Sequence, residues 1–278
     1  MNIDAWLSTG RQALEPAEDA RRAAEILLCH ALGVGLPYLY AHPGQAVPPE
    51  PGQRFTRLIR RRQGGEPIAY LVGRKAFWTL QLRVTPAVLI PRPETELLVE
   101  QALQLLPAAL PARVADLGTG SGAIALALAC ERPHWAIVAT DISAAALQVA
   151  EQNARDHQLL SVEFRRGSWT TPLDGGFDLI VSNPPYVASD DPHLAQGDCR
   201  FEPRTALSPG MDGLEHLRRI SREALPALNP GGWLLLEHGY DQGPALTALL
   251  GAAGFCDVAS IRDLAGHARV ALARKLSS

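Results

Sequence analysis

From Arg113 onward the sequence alternates short apolar runs with segments whose apolar residues recur at helical spacing. Strands that alternate with helices of this length are typical of a doubly wound α/β sheet with parallel strands. No helix separates the last two apolar runs, so we expect the final strand to run antiparallel at or near an edge. The predicted strands are Val114–Leu117, Ala136–Thr140, Val162–Arg165, Phe177–Ser182, Trp233–Glu237, Cys256–Ile261 and Arg269–Ala273.

The chain before this region has a different pattern. Ala20–Leu32 has helical periodicity and is followed by the stop signal Gly33, and a second helix is predicted over Pro51–Gln63. Gly35–Gly52 is rich in proline and glycine and is predicted to be largely turn. The predicted organisation is a small helical bundle over residues 1–74, a β-hairpin linker over 75–91 and the α/β domain over 92–278.

Composition excludes several classes of protein. With 47% hydrophobic and 20% charged residues the chain can bury a core, and a net charge of −3 argues against a surface that binds nucleic acid throughout. The four cysteines form no C-x-x-C pair, which suits a reducing compartment, and the histidines lack metal-ligand spacing. The first residues lack a basic segment followed by an apolar one, so we expect no signal peptide, and no apolar run approaches the ~20 residues of a membrane span. We therefore expect a cytoplasmic protein without a metal or a membrane segment.

A glycine-rich loop follows the first predicted strand and opens a helix. Glycines there let the backbone turn sharply and let a ligand lie directly against it. The pattern also satisfies the dinucleotide fingerprint, so the loop alone leaves an adenosyl cofactor and a nicotinamide cofactor open. Asp116 favours the former, because a buried carboxylate suits a cationic sulfonium ligand better than a pyrophosphate. The predicted cofactor-binding residues of the loop are Gly118, Thr119, Gly120, Ser121 and Gly122.

Two further residues are predicted at the cofactor. Asp141 ends the second strand beside the same crevice, where an acid can accept hydrogen bonds from ribose hydroxyls. Trp169 follows the third strand, close to the position expected for an adenine ring, and its indole could stack on the base.

The fourth strand leads directly into the tetrad Asn183-Pro184-Pro185-Tyr186. In a doubly wound sheet this strand lies beside the first, so the tetrad is expected to face the glycine loop. An amide or exocyclic amine nitrogen is a weak nucleophile, because its lone pair is delocalised. Acceptors on its two N–H groups, here the Asn183 side-chain carbonyl and the Pro184 backbone carbonyl, would hold it and favour developing positive charge. The prolines preorganise the loop, and Tyr186 offers an aromatic wall.

Together these residues resemble the HemK-type release factor glutamine methyltransferases over nearly the full chain. The proline-arginine-proline-glutamate segment combined with the tetrad is the most specific part of the resemblance. The matching segments, besides the loop and the tetrad, are Gly65–Tyr70, Val88–Glu96, Glu202–Leu207 and Asp263–Gly266.

The resemblance implies a helical domain for substrate recognition and a Rossmann-like class I methyltransferase domain, joined by a β-hairpin. It implies transfer of a methyl group from S-adenosyl-L-methionine, with S-adenosyl-L-homocysteine as product. The implied acceptor is the glutamine side-chain nitrogen in the Gly-Gly-Gln motif of class I peptide chain release factors. Asn183 would contact the cofactor as well as the substrate, and Asn183 and Pro184 would be catalytic. The implied substrate-binding residues are Asn183, Pro184, Pro185 and Tyr186.

The residues also leave rival functions open. A nucleic-acid adenine-N6 methyltransferase would share the tetrad, but it needs a basic channel for phosphates. The candidate is the arginine-rich helix between Arg54 and Arg62, which we interpret as a solvated helix face rather than a nucleic-acid groove. A nicotinamide-dependent oxidoreductase would give the tetrad no role. A catalytically silent binding module would keep the fold alone.

Overall fold

The computed structural model describes residues 1–208 and 210–277. It divides into two compact units. The first comprises Met1–Arg74 and the short segment Gln196–Phe201; the second comprises Lys75–Ala195 and the chain from Glu202 onward. The first unit is therefore discontinuous in sequence, and the hairpin predicted as a linker lies in the second.

Five α-helices make up most of the first unit, and their apolar faces enclose a core that includes Leu27, Leu28 and Phe55. The helix α3 lies in the stretch predicted as turn. Gly35 has an extended conformation before it, Pro37 occupies its first turn, where a missing N–H costs nothing, and Leu39 is buried. The helices are α1 (Ile3–Leu14), α2 (Ala20–Leu32), α3 (Leu36–Ala41), α4 (Pro49–Gln63) and α5 (Ile68–Val72).

Several arginines of α4 form ion pairs within the first unit. These pairs agree with the interpretation of this helix as a solvated, salt-bridged surface. The pairs are Arg54 with Glu50, Arg61 with Glu66, and Arg62 with both Asp19 and Asp198.

A two-stranded sheet of β1 (Arg74–Phe77) and β2 (Leu80–Arg83) lies in the second unit except for its first residue, Arg74. The main strands of this unit are β3 (Arg113–Leu117), β4 (Ala136–Asp141), β5 (Glu163–Arg166), β6 (Phe177–Ser182), β7 (Leu228–Glu237), β8 (Cys256–Arg262) and β9 (Ala268–Arg274). Its helices are α6 (Glu96–Leu105), α7 (Ala123–Glu131), α8 (Ala144–Asp156), α9 (Glu215–Ala227) and α10 (Gly243–Ala252), with a short 3-10 helix over Pro93–Thr95. Over residues 1–208 and 210–277, no helix combines the length and apolarity needed to cross a bilayer.

The main sheet has seven strands in the order β5-β4-β3-β6-β7-β9-β8. The strands from β3 to β7 pair in parallel, whereas β9 runs antiparallel to both β7 and β8. The predicted doubly wound sheet with an antiparallel final strand is thus confirmed. The final strand β9 lies one position in from the edge, which β8 occupies.

Apolar side chains cover both faces of this sheet. One core cluster contains Leu98 and Val99 of α6 and the whole apolar length of α7; the other contains Leu217 of α9 and Leu246 of α10. Residues Ala123–Ala129 of α7 are all buried, because this helix packs against both the sheet and α6. Helices on both faces explain why the strands read as nearly continuous apolar runs.

The register of the three central strands brings their carboxyl ends to one level. Leu117 at the end of β3 pairs with Thr140 of β4 and with Ser182 of β6. The Ser182 hydroxyl also donates a hydrogen bond to the Leu117 carbonyl at 2.7 Å. The loops that follow these strands therefore emerge side by side.

A buried carboxylate connects two segments that are far apart in sequence. Glu202 is almost fully buried and accepts hydrogen bonds from the Ile90 backbone N–H at 2.9 Å and from the Arg92 guanidinium. The Pro-Arg-Pro segment and the Glu-Pro-Arg-Thr segment, two of the matching motifs, thus form one local structure.

We expect Glu202→Ala to lower the free energy of unfolding by about 2 kcal/mol or more, because it leaves the Ile90 N–H and Arg92 without their acceptor. Urea denaturation measures this change. The control is Glu151→Ala, which removes an exposed pair with Arg155 and should cost at most about 0.5 kcal/mol. Equal losses in the two variants would contradict the role assigned to Glu202.

Candidate active site

A cavity of about 510 Å³ opens at the carboxyl ends of β3, β4 and β6, within the second unit. This is the position at which open α/β sheets bind ligands. It is lined by the glycine loop, by residues after β4, β5 and β6, and by segments from elsewhere in the unit. Its lining includes Arg92, Thr95, Gly118, Thr119, Gly120, Ser121, Asp141, Trp169, Asn183, Pro185, His216 and Arg219.

The glycine loop takes its shape from backbone conformations that side chains disfavour. Gly118 has a φ of 72°, and a Cβ built there would lie 3.1 Å from the Trp169 ring. Gly122 has a φ of 85° and immediately precedes α7. The N–H groups of Gly118 and Thr119 both donate to the Thr140 carbonyl, at 2.8 and 2.9 Å, and fasten the loop to β4.

Asn153 of α8 anchors the other side of this loop. Its side-chain amide is fully buried and donates to the Ser121 carbonyl at 2.8 Å. The same amide donates to the Arg83 carbonyl at 3.1 Å, and its oxygen accepts from the Arg83 N–H at 2.7 Å. One buried asparagine therefore joins the end of the β1–β2 hairpin to the loop.

Asp141 lies at the end of β4 and lines the cavity. Its carboxylate accepts from the Gly120 N–H at 3.0 Å and from the Ser143 N–H at 2.8 Å. Burial raises the pKa of this carboxyl, and the backbone N–H groups partly offset the shift. These bonds hold the carboxylate at the cavity wall, and each oxygen keeps a further lone pair for a ligand.

Trp169 forms an aromatic wall of the cavity. Its backbone has a φ of 50°, unusual for a bulky residue, and its carbonyl accepts from the Thr140 hydroxyl at 3.0 Å. Its ring meets the His216 ring edge-on, with the centroids 4.9 Å apart. Burial lowers the pKa of His216, so this partner is held towards its neutral form.

Asp116 lies beneath the glycine loop and does not line the cavity. One carboxylate oxygen accepts from the Thr119 hydroxyl at 2.7 Å and from the Ala125 N–H at 3.2 Å, while the other is buried without a hydrogen-bond partner. Burial raises the pKa of this carboxyl to about 7. Its direct contacts therefore stabilise the loop and the first turn of α7.

The tetrad joins a buried hydrogen-bond chain. The Asn183 side-chain N–H donates to the Thr95 hydroxyl oxygen at 2.9 Å, and the Thr95 hydroxyl donates to Glu237 at 2.7 Å. The Tyr186 hydroxyl donates to the other Glu237 oxygen at 3.1 Å. The first and last residues of the tetrad thus connect to the same carboxylate.

Most of the residues predicted for cofactor and substrate are brought together in this cavity. The exceptions are Gly122, Pro184 and Tyr186, which do not line it. Gly122 is the N-cap of α7, Pro184 is buried, and Tyr186 packs into the core with its hydroxyl on Glu237. Trp169, predicted to stack on adenine, lines the cavity, and Tyr186, predicted as a wall for the substrate group, does not.

Sequence reasoning did not identify several polar residues of this region. Glu237 ends β7 as Asp141 ends β4, so an acid at the carboxyl end of a strand was an available signal. Thr95 lies in the Pro-Arg-Pro-Glu-Thr segment, which was used only for its resemblance. Arg219 and His216 lie on α9, where nothing in the local pattern distinguishes them from solvated residues.

We compare the free energy of unfolding of Asp116→Asn with that of the native chain. The variant value minus the native value should increase as pH rises from 5 to 7. Between the ordinary pKa of 3.8 and about 7, the folded carboxyl keeps a proton that the unfolded chain has released. Native stability therefore falls with rising pH, by at most about 1.4 kcal/mol per pH unit, and the difference levels off above pH 7. Urea denaturation across this range measures it.

The matched control is Asp190→Asn, which changes an exposed aspartate and should follow the native protein at each pH. If the free energies of unfolding of Asp116→Asn and the native chain differ by a constant amount from pH 5 to 7, the raised pKa of Asp116 is contradicted.

Two family models match the chain. The PrmC N-terminal domain matches residues 5–73, and the methyltransferase small domain matches residues 94–197. Among solved structures, a methyltransferase from Pyrococcus furiosus aligns with a TM-score of 0.56 at 19% identity, covering 80% of this chain and 99% of that one. At this identity the likeness shows the fold.

Curated relatives are similar over nearly their full length. The release factor glutamine methyltransferase of Xylella fastidiosa is 54% identical, covering 90% of this chain and 92% of the relative. The enzyme of that name from Pseudomonas aeruginosa is 51% identical, covering 93% of this chain and 94% of the relative. With the geometry of the loop and the tetrad, these similarities show that the chain belongs to the release factor glutamine methyltransferase family.

Proposed function

We propose that this chain methylates the side-chain amide nitrogen of the glutamine in the Gly-Gly-Gln motif of class I peptide chain release factors. The observation that carries the proposal is the position of Asn183 on the wall of the cavity formed by the glycine loop, Asp141 and Trp169. Membership of the family supports the choice of substrate. The proposed compartment is the cytoplasm, where peptide chains terminate.

The cavity fits S-adenosyl-L-methionine as the cofactor. Its volume of about 510 Å³ is typical of a small-molecule site, and Trp169 offers an aromatic face for adenine. Asp141 provides acceptors for ribose hydroxyls. Positive φ at Gly118 lets the backbone approach a ligand without a side chain between them. Once bound, the cofactor supplies an electrophilic methyl group and leaves as S-adenosyl-L-homocysteine.

Asn183 and Pro184 position the substrate nitrogen. In the proposed scheme the Asn183 side-chain oxygen and the Pro184 backbone carbonyl would accept hydrogen bonds from its two N–H groups and favour the positive charge that develops as the nitrogen attacks. Pro184 does not line the cavity, so its place in the scheme comes from the tetrad motif. The prolines restrict the backbone of the tetrad, which supports a loop that needs little reordering when the substrate binds. No residue acts as a strong base in this scheme, because the proton can leave after methyl transfer.

We expect the chain to add one methyl group to the Gly-Gly-Gln glutamine of a class I release factor incubated with S-adenosyl-L-methionine. Asn183→Ala should lower the rate by about a hundredfold, because it removes one of the two acceptors. Mass spectrometry of the release factor measures both results. Asn229→Ala is the matched control, because Asn229 bonds to Asp178 and does not line the cavity.

Methyl transfer to adenine in DNA or RNA, with none to the release factor, would replace the proposal with the adenine-N6 class. A rate for Asn183→Ala equal to that of the Asn229→Ala control would remove Asn183 from the mechanism.

We expect the native chain to bind S-adenosyl-L-methionine and not NAD in calorimetry. Asp141→Asn should raise the Kd of S-adenosyl-L-methionine by about tenfold, because a neutral amide replaces the charged acceptor of the ribose hydroxyls. Asp241→Asn changes an exposed aspartate outside the cavity and should leave affinity unchanged. NAD binding without S-adenosyl-L-methionine binding would overturn the cofactor assignment.

A further inference from the structure

The tetrad asparagine can help catalysis only if its side-chain oxygen, and not its nitrogen, faces the substrate. An asparagine amide is nearly symmetric in shape, and turning it by 180° exchanges an acceptor for a donor. A donor facing the substrate amide would oppose the N–H groups that must be held. Some feature of the site must therefore fix the orientation of the Asn183 amide.

A chain of two hydrogen bonds supplies this constraint. The Thr95 hydroxyl has a single hydrogen, and it donates that hydrogen to Glu237 at 2.7 Å. The Thr95 oxygen then has only lone pairs to offer to Asn183, 2.9 Å away. Asn183 must present its NH2 group to Thr95, and its oxygen is left for the cavity.

Glu237 determines the direction of the whole chain. An ionised carboxylate is an acceptor only, and each of its oxygens accepts a hydrogen bond here, one from Thr95 and the other from Tyr186. Thr95 is 4% exposed and Glu237 is 1% exposed, so little of either side chain is accessible to water. The direction of donation therefore runs from Asn183 through Thr95 to Glu237.

We propose that Thr95 and Glu237 are positioning residues that hold the Asn183 amide with its oxygen directed to the substrate nitrogen. This inference rests on the proposed function, because it assigns the orientation of the acceptor used there. Glu237 does not line the cavity, whereas Thr95 lines it beside Asn183. They act through Asn183, and Glu237 also fixes Tyr186 at the other end of the tetrad.

The kinetic test is Thr95→Val, which keeps the shape of the side chain and removes the hydroxyl. We expect kcat on a class I release factor to fall by about tenfold or more, with the KM and the Kd of S-adenosyl-L-methionine changed less than about threefold. Thr95→Ser keeps the hydroxyl and should recover most of kcat. The control Ser221→Ala removes another buried hydroxyl, which bonds to Leu217, and should leave kcat unchanged.

The result that would overturn the proposal is a folded Thr95→Val variant with kcat within twofold of native. Equal losses in Thr95→Ser and Thr95→Val would also overturn it, because they would assign the effect to packing rather than to the hydroxyl.

A spectroscopic test is independent of the substrate. The ¹⁵N–¹H signal of the Asn183 side-chain amide is identified as the one that disappears in Asn183→Asp. The amide hydrogen that Asn183 donates to Thr95 should exchange slowly with solvent. In Thr95→Val we expect that exchange to be at least about tenfold faster, whereas Ser221→Ala should match native. Unchanged exchange would overturn the inference. If the native chain does not methylate the release factor, the proposed function fails and this measurement still decides the orientation.

The pH profile tests Glu237 itself. Burial raises the pKa of its carboxyl to about 7, opposed by the bonds from Thr95 and Tyr186 and by Arg269, while Glu94 raises it further. A proton on this carboxyl competes with the hydrogens that Thr95 and Tyr186 donate to it, and so weakens the constraint on the Asn183 amide. Native kcat should therefore fall as pH drops below 7. Glu237→Gln does not titrate and should lack this decline. An identical acidic decline in Glu237→Gln would overturn the role of Glu237.

Discussion

Leu117 pairs with Thr140 on one side and with Ser182 on the other, and the site depends on this register of β3. A shift of either neighbour would carry Asp141 or Asn183 to a different height on the sheet edge. Residues that are far apart in sequence meet because three parallel strands end together. The hydrogen bond from Ser182 to the Leu117 carbonyl adds a side-chain tie at the same level.

Three carboxylates, two buried and one partly exposed, organise the site in different ways. Asp116 accepts hydrogen bonds from beneath the glycine loop, and backbone N–H groups hold Asp141 at the cavity wall. Glu237 accepts hydrogen bonds from the hydroxyls of Thr95 and Tyr186. Each lies at or near the carboxyl end of a strand, where backbone and side-chain donors are available. Burial raises the pKa of all three, so their protonation depends on these donors.

Periodicity was sufficient to predict the α/β sheet, because buried parallel strands and their helices leave strong apolar patterns. The bounds of β6 were predicted without error, since Phe177–Ser182 lies between Gly176 and the tetrad. The helix α3 was not predicted, because its burial rests on the single side chain of Leu39. The roles of Thr95, Glu202 and Glu237 were not predicted, because each depends on a partner more than a hundred residues away in sequence. Glu202 bonds to Ile90, and Thr95 bonds to Glu237. The hydrogen bond from Tyr186 to Glu237 depends on tertiary packing in the same way.

The discontinuous first unit has a consequence for how the chain acquires its structure during synthesis. Residues 1–74 leave the ribosome first, but Asp198, which pairs with Arg62, follows only after Lys75–Ala195 has been made. The helical bundle can form early from its local contacts, whereas its last segment waits for most of the second unit. The order of translation and the order of completed packing therefore differ, and maturation of the first unit is coupled to synthesis of the second.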